Sequence, residues 1–410
     1  MIECNNGLFH LKNENLSCLL RVTRYGLLEQ LHFGAPIESS DADALACNPG
    51  LGWGGSLLLN DHDSASCPEH ISLAWSGSGR GDFRESPLEM GGCSTDFCYV
   101  NHRVLEEAPV MVSGLPQTHG KCETLEITMA QKGAKLYLYF SLFPTALTRR
   151  AVLENTGDTS IRLHKLMSFS MDLPGAYNMT TFNGCWAAEM NKCVTPPSRS
   201  RIVNESLTGA SSNMHNPGFL LSEPDADEDC GRVYGFNLIY SGNHYGSAQL
   251  SHQGLTRVMQ GINPANFCAE LAPGEKFETP EAVLCHSDEG FGGLSEKMHR
   301  FVLDHVVPEY WAYRERPILY NSWEGCMFDF NQKRLLDLAK QAKDMGCELF
   351  VLDDGWFGAR NNDRAGLGDY NINMKKLPKG IAGLSAAVQR LGMQFGLWFE
   401  PESVNEDSDL

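Results

Sequence analysis

The sequence predicts two architectures in one chain: a large antiparallel β-sandwich, then an α/β segment built on parallel strands. Two rhythms and the chain length predict it. Up to about residue 312, apolar and polar residues alternate with period two in short stretches separated by Gly, Pro and Asn turns, as half-buried antiparallel strands do. From about residue 315 the rhythm becomes strand, helix, strand, helix, strand. That order calls for right-handed crossovers between parallel strands, in an open sheet or a (β/α)8 barrel. At ~100–200 residues per domain, a chain of 410 residues holds two or three domains, and its 42% hydrophobic content suffices to fill their cores.

Each element follows from its residues. Leu136, Leu138, Phe140 and Leu142 alternate with Tyr137, Tyr139 and Ser141, and Val152 and Leu153 precede the turn Asn155-Thr156-Gly157. Residues 232–240 run into Ser241-Gly242-Asn243, and residues 255–260 into Gly261-Ile262-Asn263-Pro264. After Pro273-Gly274, residues 277–285 read as one strand. A helix is expected over about 293–307, with Met298, Phe301, Val302 and His305 on one face, joining the two halves. The expected boundaries are therefore a sandwich over 1–292, a helical linker over 293–315 and the α/β part over 316–410. There Ile318-Leu319-Tyr320 is a first strand, and Asn331 caps a helix with the stripe Leu335, Leu338, Ala339, Ala342 and Met345, ended by Gly346. Residues 349–352 are a second strand. A helix carrying Leu384, Val388 and Leu391 stops at Gly392, and residues 395–399 are a third strand.

Composition removes several classes of function. A formal charge of −18 repels phosphate backbones and argues against a nucleic-acid partner. Apolar runs such as 137–143 fall short of the ~18–20 residues of a membrane span. The start Met1-Ile2-Glu3-Cys4-Asn5-Asn6 lacks the basic and apolar parts of a secretory signal, so the expected address is cytoplasmic. The 14 Cys, spread from Cys4 to Cys347, form no CxxC pair and no Cys/His cluster at zinc spacing. Free, mostly buried thiols are expected, and the sequons at Asn15, Asn178 and Asn204 are then chance matches. No GxGxxG follows a strand and there is no Walker motif, which disfavours a dinucleotide-binding sheet.

The polar chemistry gathers where the three later strands end, in Trp323-Glu324, Asp353-Asp354-Gly355-Trp356 and Trp398-Phe399-Glu400. Parallel α/β folds bind ligands at the carboxyl ends of their strands. Aromatics beside carboxylates suit a sugar, whose C–H faces stack on indole rings and whose hydroxyls donate to carboxylate oxygens. The same carboxylates suit a divalent cation or acid/base catalysis, and the plain alternative is helix capping or core packing. Asp353 is as suited to cap the following turn as to hold a ligand, and Trp323 and Trp398 are as suited to a barrel rim. Trp356 is expected to pack, and of Glu400 and Glu402, which flank Pro401, one is expected to be structural. Arg80-Gly81-Asp82-Phe83-Arg84 reads as a surface ion pair, and Ser211-Ser212-Asn213-Met214-His215-Asn216-Pro217 as a surface turn.

Three motifs in order, Leu319-Tyr320-Asn321-Ser322-Trp323-Glu324, Leu352-Asp353-Asp354-Gly355-Trp356-Phe357-Gly358 and Gly396-Leu397-Trp398-Phe399-Glu400-Pro401-Glu402, resemble the α-galactosidases of glycoside hydrolase family 36. Gly81-Asp82-Phe83-Arg84, Val233-Tyr234-Gly235-Phe236, Tyr240-Ser241-Gly242-Asn243 and Gly261-Ile262-Asn263-Pro264 are similar to that family's amino-terminal region. The resemblance runs from about residue 20 to residue 410. It implies a multidomain β plus α/β fold, a large antiparallel β-supersandwich followed by the first third of a (β/α)8 TIM barrel. It also implies retaining hydrolysis of terminal α-galactosides of the melibiose and raffinose type, no cofactor or metal, and a homo-tetramer whose amino-terminal loops help close neighbouring sites. Asp353 and Asp354 match the pair that takes the galactose 4- and 6-hydroxyls, and Trp323 and Trp398 match the pocket walls. Cys326, Met327 and Ser403 depart from the usual family residues. The family nucleophile, an Asp in a Lys-Trp-Asp segment, and its acid/base Asp belong to later strands that these 410 residues lack. No catalytic residue is therefore expected here, neither Asp354 nor Glu400, and the chain alone is expected to turn over no galactoside. An α-N-acetylgalactosaminidase, a galactosyl transferase of the raffinose-synthase type or a non-catalytic carbohydrate-binding protein are the alternatives, and the resemblance assigns no role to Asp82, Arg84, Glu400 or Glu402.

Overall fold

Period-two alternation becomes sheet wherever one face can be buried, and the strand Ala134–Leu142 shows the rule. Leu136, Leu138 and Phe140 are fully buried on one face while Tyr137 and Tyr139 are half-buried on the other. Each Leu or Phe so withdrawn from water contributes about 1.5–3 kcal/mol. The computed structural model describes residues 1–46, 57–60, 62–63, 66–112, 114–211 and 214–410. Residues 212 and 213 of the 211–217 stretch, and the Arg80 side chain, lie outside the described residues.

The chain divides into two units, Met1–Pro308 and Glu309–Leu410. In the first, the described strands form antiparallel sheets of four, six and ten strands. Their inner faces meet in one core that includes Phe9, Leu20, Leu125, Leu138, Phe169, Phe219, Phe236 and Leu284. The single strand expected over 277–285 is two, Lys276–Glu278 and Glu281–Ser287, both paired with Leu147–Asn155. The break falls at Thr279-Pro280, where proline has no N–H to give the ladder. The helix spans Gly290–His305 and packs through Leu294, Phe301 and His305. Val302, expected on the buried face, is 37% exposed, because 100° per residue carries it round the flank from Phe301.

Inside the sandwich lies the largest correction to the sequence reading. Asp82 and Arg84 are not a surface pair: their side chains are 1% and 12% exposed. Arg84 Nε donates to Asp82 Oδ1 at 2.9 Å, and its Nη1 is 3.2 Å from Asp172 Oδ2. Arg257 joins both acids, with Nε and Nη2 donating to Asp172 at 2.8 Å each and Nη2 to Asp82 at 3.1 Å. Burial by itself would raise the Asp82 carboxyl, but the Arg257 and Arg84 guanidiniums outweigh it and hold it below the ordinary carboxylate range. The partners come from positions far apart in the chain, so no local pattern announced them.

Buried histidines make this unit sensitive to acid. His244 and His286 are fully buried or nearly so. Burial, with a smaller push from His215, lowers His244 to about 4, and burial lowers His286 despite the opposing charge of Asp288. Both stay neutral in the folded state, while in the unfolded chain they take up protons near the ordinary imidazole value. Stability is therefore full above pH ~6.5 and falls as pH drops toward the folded values, by about 1.4 kcal/mol per pH unit for each histidine. Urea unfolding at pH 7 and pH 5 is expected to differ accordingly, and His244→Gln to remove part of that difference, because burial lowers His10 and His32 as well as His286. An unchanged difference in the variant would show that His244 is not the titrating group.

In the second unit the strands Leu319–Asn321, Leu349–Leu352 and Gln394–Leu397 are parallel and neighbours in chain order. That succession is the one a barrel uses. Asn331 caps the helix Gln332–Asp344, its side chain accepting from the Arg334 amide, and Leu335, Ala339 and Ala342 face the core with Phe350, Leu352, Leu384 and Val388. Met345, expected on the stripe, is 71% exposed, since it follows the helix end as its C-cap. Among the described residues the sheet stays open: Leu319 is 51% exposed and the strand Gln394–Leu397 has no fully buried residue, unlike the strands of a closed parallel barrel. No helix of the described residues is long and apolar enough to cross a membrane.

Candidate functional site

The carboxyl ends of the first two parallel strands meet in a hydrogen-bonded group centred on Asp353, beside the end of the third strand. The first strand ends at Asn321, whose Nδ2 donates to Asp353 Oδ2 at 2.5 Å while its Oδ1 accepts from the Trp323 amide at 2.8 Å. Ser322, buried behind it, accepts from the Asp353 amide at 3.1 Å. Asp353 Oδ1 accepts from the Asp354 amide at 2.7 Å. The Asp353 carboxylate is thus oriented by groups from two strands and remains half-buried.

Asp354 is placed differently. It is buried, and Arg360 donates to it from Nε at 3.0 Å to each oxygen and from Nη2 to Oδ2 at 2.7 Å. Its Oδ1 also accepts from the Gly355 amide at 2.6 Å. Gly355 has φ +92, a left-handed turn in which a side chain would be strained, and a Cβ there would lie 3.0 Å from the Phe328 ring. The chain can therefore reverse sharply after the acidic pair. Lys376 ties this turn to the preceding one, its Nζ donating to the carbonyls of Gly355 at 2.8 Å, Phe328 at 3.1 Å and Arg360 at 3.3 Å. All three ammonium protons are used, and burial lowers its pKa.

The aromatics separate into two kinds. Trp323 is half-buried, its ring edge-on to Phe328 at 5.0 Å. Trp356 packs, as expected: it is 3% exposed, and its Nε1 donates to the Trp398 carbonyl at 3.0 Å. Trp398 is half-buried at the end of the third strand, and Phe399 beyond it is 51% exposed against Trp356 and Tyr370. Tyr370 donates to the Glu400 carbonyl at 2.6 Å and accepts from its amide at 3.2 Å, which fixes the main chain there. Glu324 and Glu402 are exposed, while Glu400 is half-buried.

Sequence reasoning did not single out Arg360, Lys376 or Tyr370. Arg360 had a usable signal, a basic residue within one loop of two adjacent acids; Lys376 and Tyr370 had none, because they act through main-chain atoms. Among the described residues no group of three or more His, Cys, Asp or Glu is placed to hold a metal ion. The arrangement offers one oriented, accessible carboxylate, one buried carboxylate locked to a guanidinium and half-exposed indoles at the same sheet end. It can accept hydroxyl hydrogen bonds beside an apolar ring face.

Known proteins resemble this chain over nearly its whole length. The model of the Glycosyl hydrolase family 36 N-terminal domain matches residues 26–272, and that of Melibiase matches residues 276–410. Alpha-galactosidase AgaA of Geobacillus stearothermophilus is 36% identical, over 98% of this chain and 56% of its own length. Alpha-galactosidase 2 of Hypocrea jecorina is 39% identical, over 92% of this chain and 52% of its own. The galactosidase domain of the α-galactosidase–sucrose kinase AgaSK superposes with a TM-score of 0.93 at 32% identity, covering 100% of this chain and 59% of that one. A variant of AgaA solved in complex with raffinose superposes with a TM-score of 0.91 at 35% identity, covering 98% and 57%. The chain thus spans little more than half the length of the relatives it matches.

Proposed function

We infer, from the membership of this chain in glycosyl hydrolase family 36, that the complete protein is an α-galactosidase that releases terminal α-galactose from raffinose-type oligosaccharides. The observation that carries the reading is the oriented Asp353 carboxylate at the end of the second parallel strand, with Trp323 and Trp398 on the neighbouring strand ends. Asp353 accepts from galactose hydroxyls on the lone pairs that Asn321 and the Asp354 amide leave free. Asp354, whose two oxygens are taken up by Arg360 and the Gly355 amide, supports the recognition by fixing the turn that aims Asp353. The indoles of Trp323 and Trp398 wall the ring. In a retaining mechanism a carboxylate attacks the anomeric carbon while an acid protonates the leaving oxygen, and water then resolves the galactosyl ester. Those two carboxyl groups belong to further strands, so these residues supply recognition. No cofactor enters such a mechanism, a homo-tetramer is the assembly we propose, and the address we propose is the cytoplasm.

Asp353→Ala in the complete protein is the test. Raffinose kcat/KM is expected to fall at least 100-fold, with the unfolding midpoint nearly unchanged because Asp353 is half-buried. Kinetics within twofold of the parent would remove Asp353 from the site.

A further inference from the structure

The residues around Phe83 belong to the first unit and are none of those described at the strand ends, yet the sandwich holds them with unusual firmness. Asp82 and Arg84 sink into the buried network with Arg257 and Asp172. The next residue, Glu85, is a second buried hub. It pairs with Lys165 at 2.8 Å and Arg201 Nε at 3.1 Å, and accepts from the hydroxyls of Tyr245 at 2.8 Å and Ser247 at 2.9 Å. Phe83 lies between these anchors with 67% of its surface exposed. Single exposed apolar residues are ordinary. This one differs in two ways: its flanks are locked, so the ring is held outward, and it lines a cleft of about 290 Å³.

The other walls of the cleft are mostly polar, with Glu69, Arg199, Arg201, Gln249 and Gln253 among them and Leu250 as a second apolar side chain. Counted with their partners, the charges there balance: Arg84 and Arg257 face Asp82 and Asp172, Arg201 and Lys165 share Glu85 while Lys165 also lies 3.9 Å from Glu89, and Arg199 and Glu69 add one of each sign. A matched set does not concentrate an ion of either sign. What the cleft offers is one aromatic face beside planar amides, a guanidinium and a carboxylate, the combination that a neutral pyranose meets with its C–H face and its hydroxyls. Its volume lies at the small end of ligand pockets, the size of one or two sugar rings.

We propose that this cleft is a non-catalytic saccharide subsite of the sandwich, with Phe83 as its stacking platform. It uses no residue of the barrel-end site and stands or falls separately from it. Saturation-transfer NMR of raffinose with the 410-residue chain tests it. Transfer is expected to persist in Asp353→Ala, to weaken at least tenfold when Phe83→Ala is added, and to survive with Phe83→Trp in place of Phe83→Ala. Gln249→Ala is expected to weaken it in the same direction. Loss of all transfer in Asp353→Ala alone overturns the subsite and leaves the barrel-end reading intact. Transfer that Phe83→Ala does not change overturns it as well. Displacement of raffinose by inorganic phosphate would make the cleft an anion site. A changed molecular mass in Phe83→Ala with raffinose binding retained would make it an interface between copies. Either result refutes the proposal.

Discussion

Arg360→Met is expected to cost about 3–5 kcal/mol of stability in the second unit, the range for removing one partner of a buried ion pair. The guanidinium and the Asp354 carboxylate are 5% and 7% exposed, and three of their contacts are 3.0 Å or shorter. Methionine fills similar space but leaves the acid buried without its counter-charge, which is worse than removing both. The effect reaches the site, because Asp354 sets the turn that aims Asp353 and because Lys376 gathers the Arg360, Gly355 and Phe328 carbonyls. A misplacement of about 1 Å there is worth some 100-fold in rate. Urea unfolding followed by tryptophan fluorescence reads the stability, since Trp323, Trp356 and Trp398 all lie in this unit. Asp354→Asn, which keeps shape and part of the hydrogen bonding, is expected to cost less. A shift under 1 kcal/mol in Arg360→Met would mean that the pair is solvated in solution.

Arg257→Met is expected to be as damaging to the sandwich, again about 3–5 kcal/mol. Arg257 is the only cation of its network that donates to both Asp82 and Asp172 through one nitrogen among the described residues, and its side chain is 3% exposed. Among the described residues Arg84 would remain as the one cation paired with these two buried acids. Direction on the pH axis follows as well. Asp82 is held below the ordinary carboxylate range, so the stability it carries is present above that range and lost as pH falls through its lowered value. Without Arg257 that value rises, and the acid-unfolding limb should move to higher pH. Circular dichroism of the sandwich across pH 2–5 measures both effects; coincident acid limbs in parent and variant would contradict the role given to Arg257.

Much of the site was legible because its residues stand at strand ends. A parallel strand delivers its last residues to one end of the sheet, so Trp323, Asp353 and Trp398 could be placed together once three short apolar strands were recognised. The difference between Asp353 and Asp354 was not legible. Two adjacent acids look alike in sequence, and only the closure of the 355–360 turn, which brings Arg360 onto one of them, makes one a locked buried group and the other an accessible acceptor. Val302 and Met345 were misplaced for a smaller reason: spacing alone does not say where the edge of a buried stripe falls or where a helix stops.

Local alternation, turn residues and helix caps, each a property of neighbours in the chain, were enough to determine the β and α/β classes, the order of the parallel strands and the strand-end carboxylates. Tertiary structure alone decided which charges meet. Asp82, Arg84, Asp172 and Arg257 become one network, and Glu85 finds Lys165, Arg201 and Tyr245, because antiparallel sheets bring together residues 80–175 positions apart. An ion pair's worth depends on burial and on its partner, neither of which a run of charged letters contains, and so Asp82-Phe83-Arg84 read as surface until the sandwich closed around its ends and left only the ring outside.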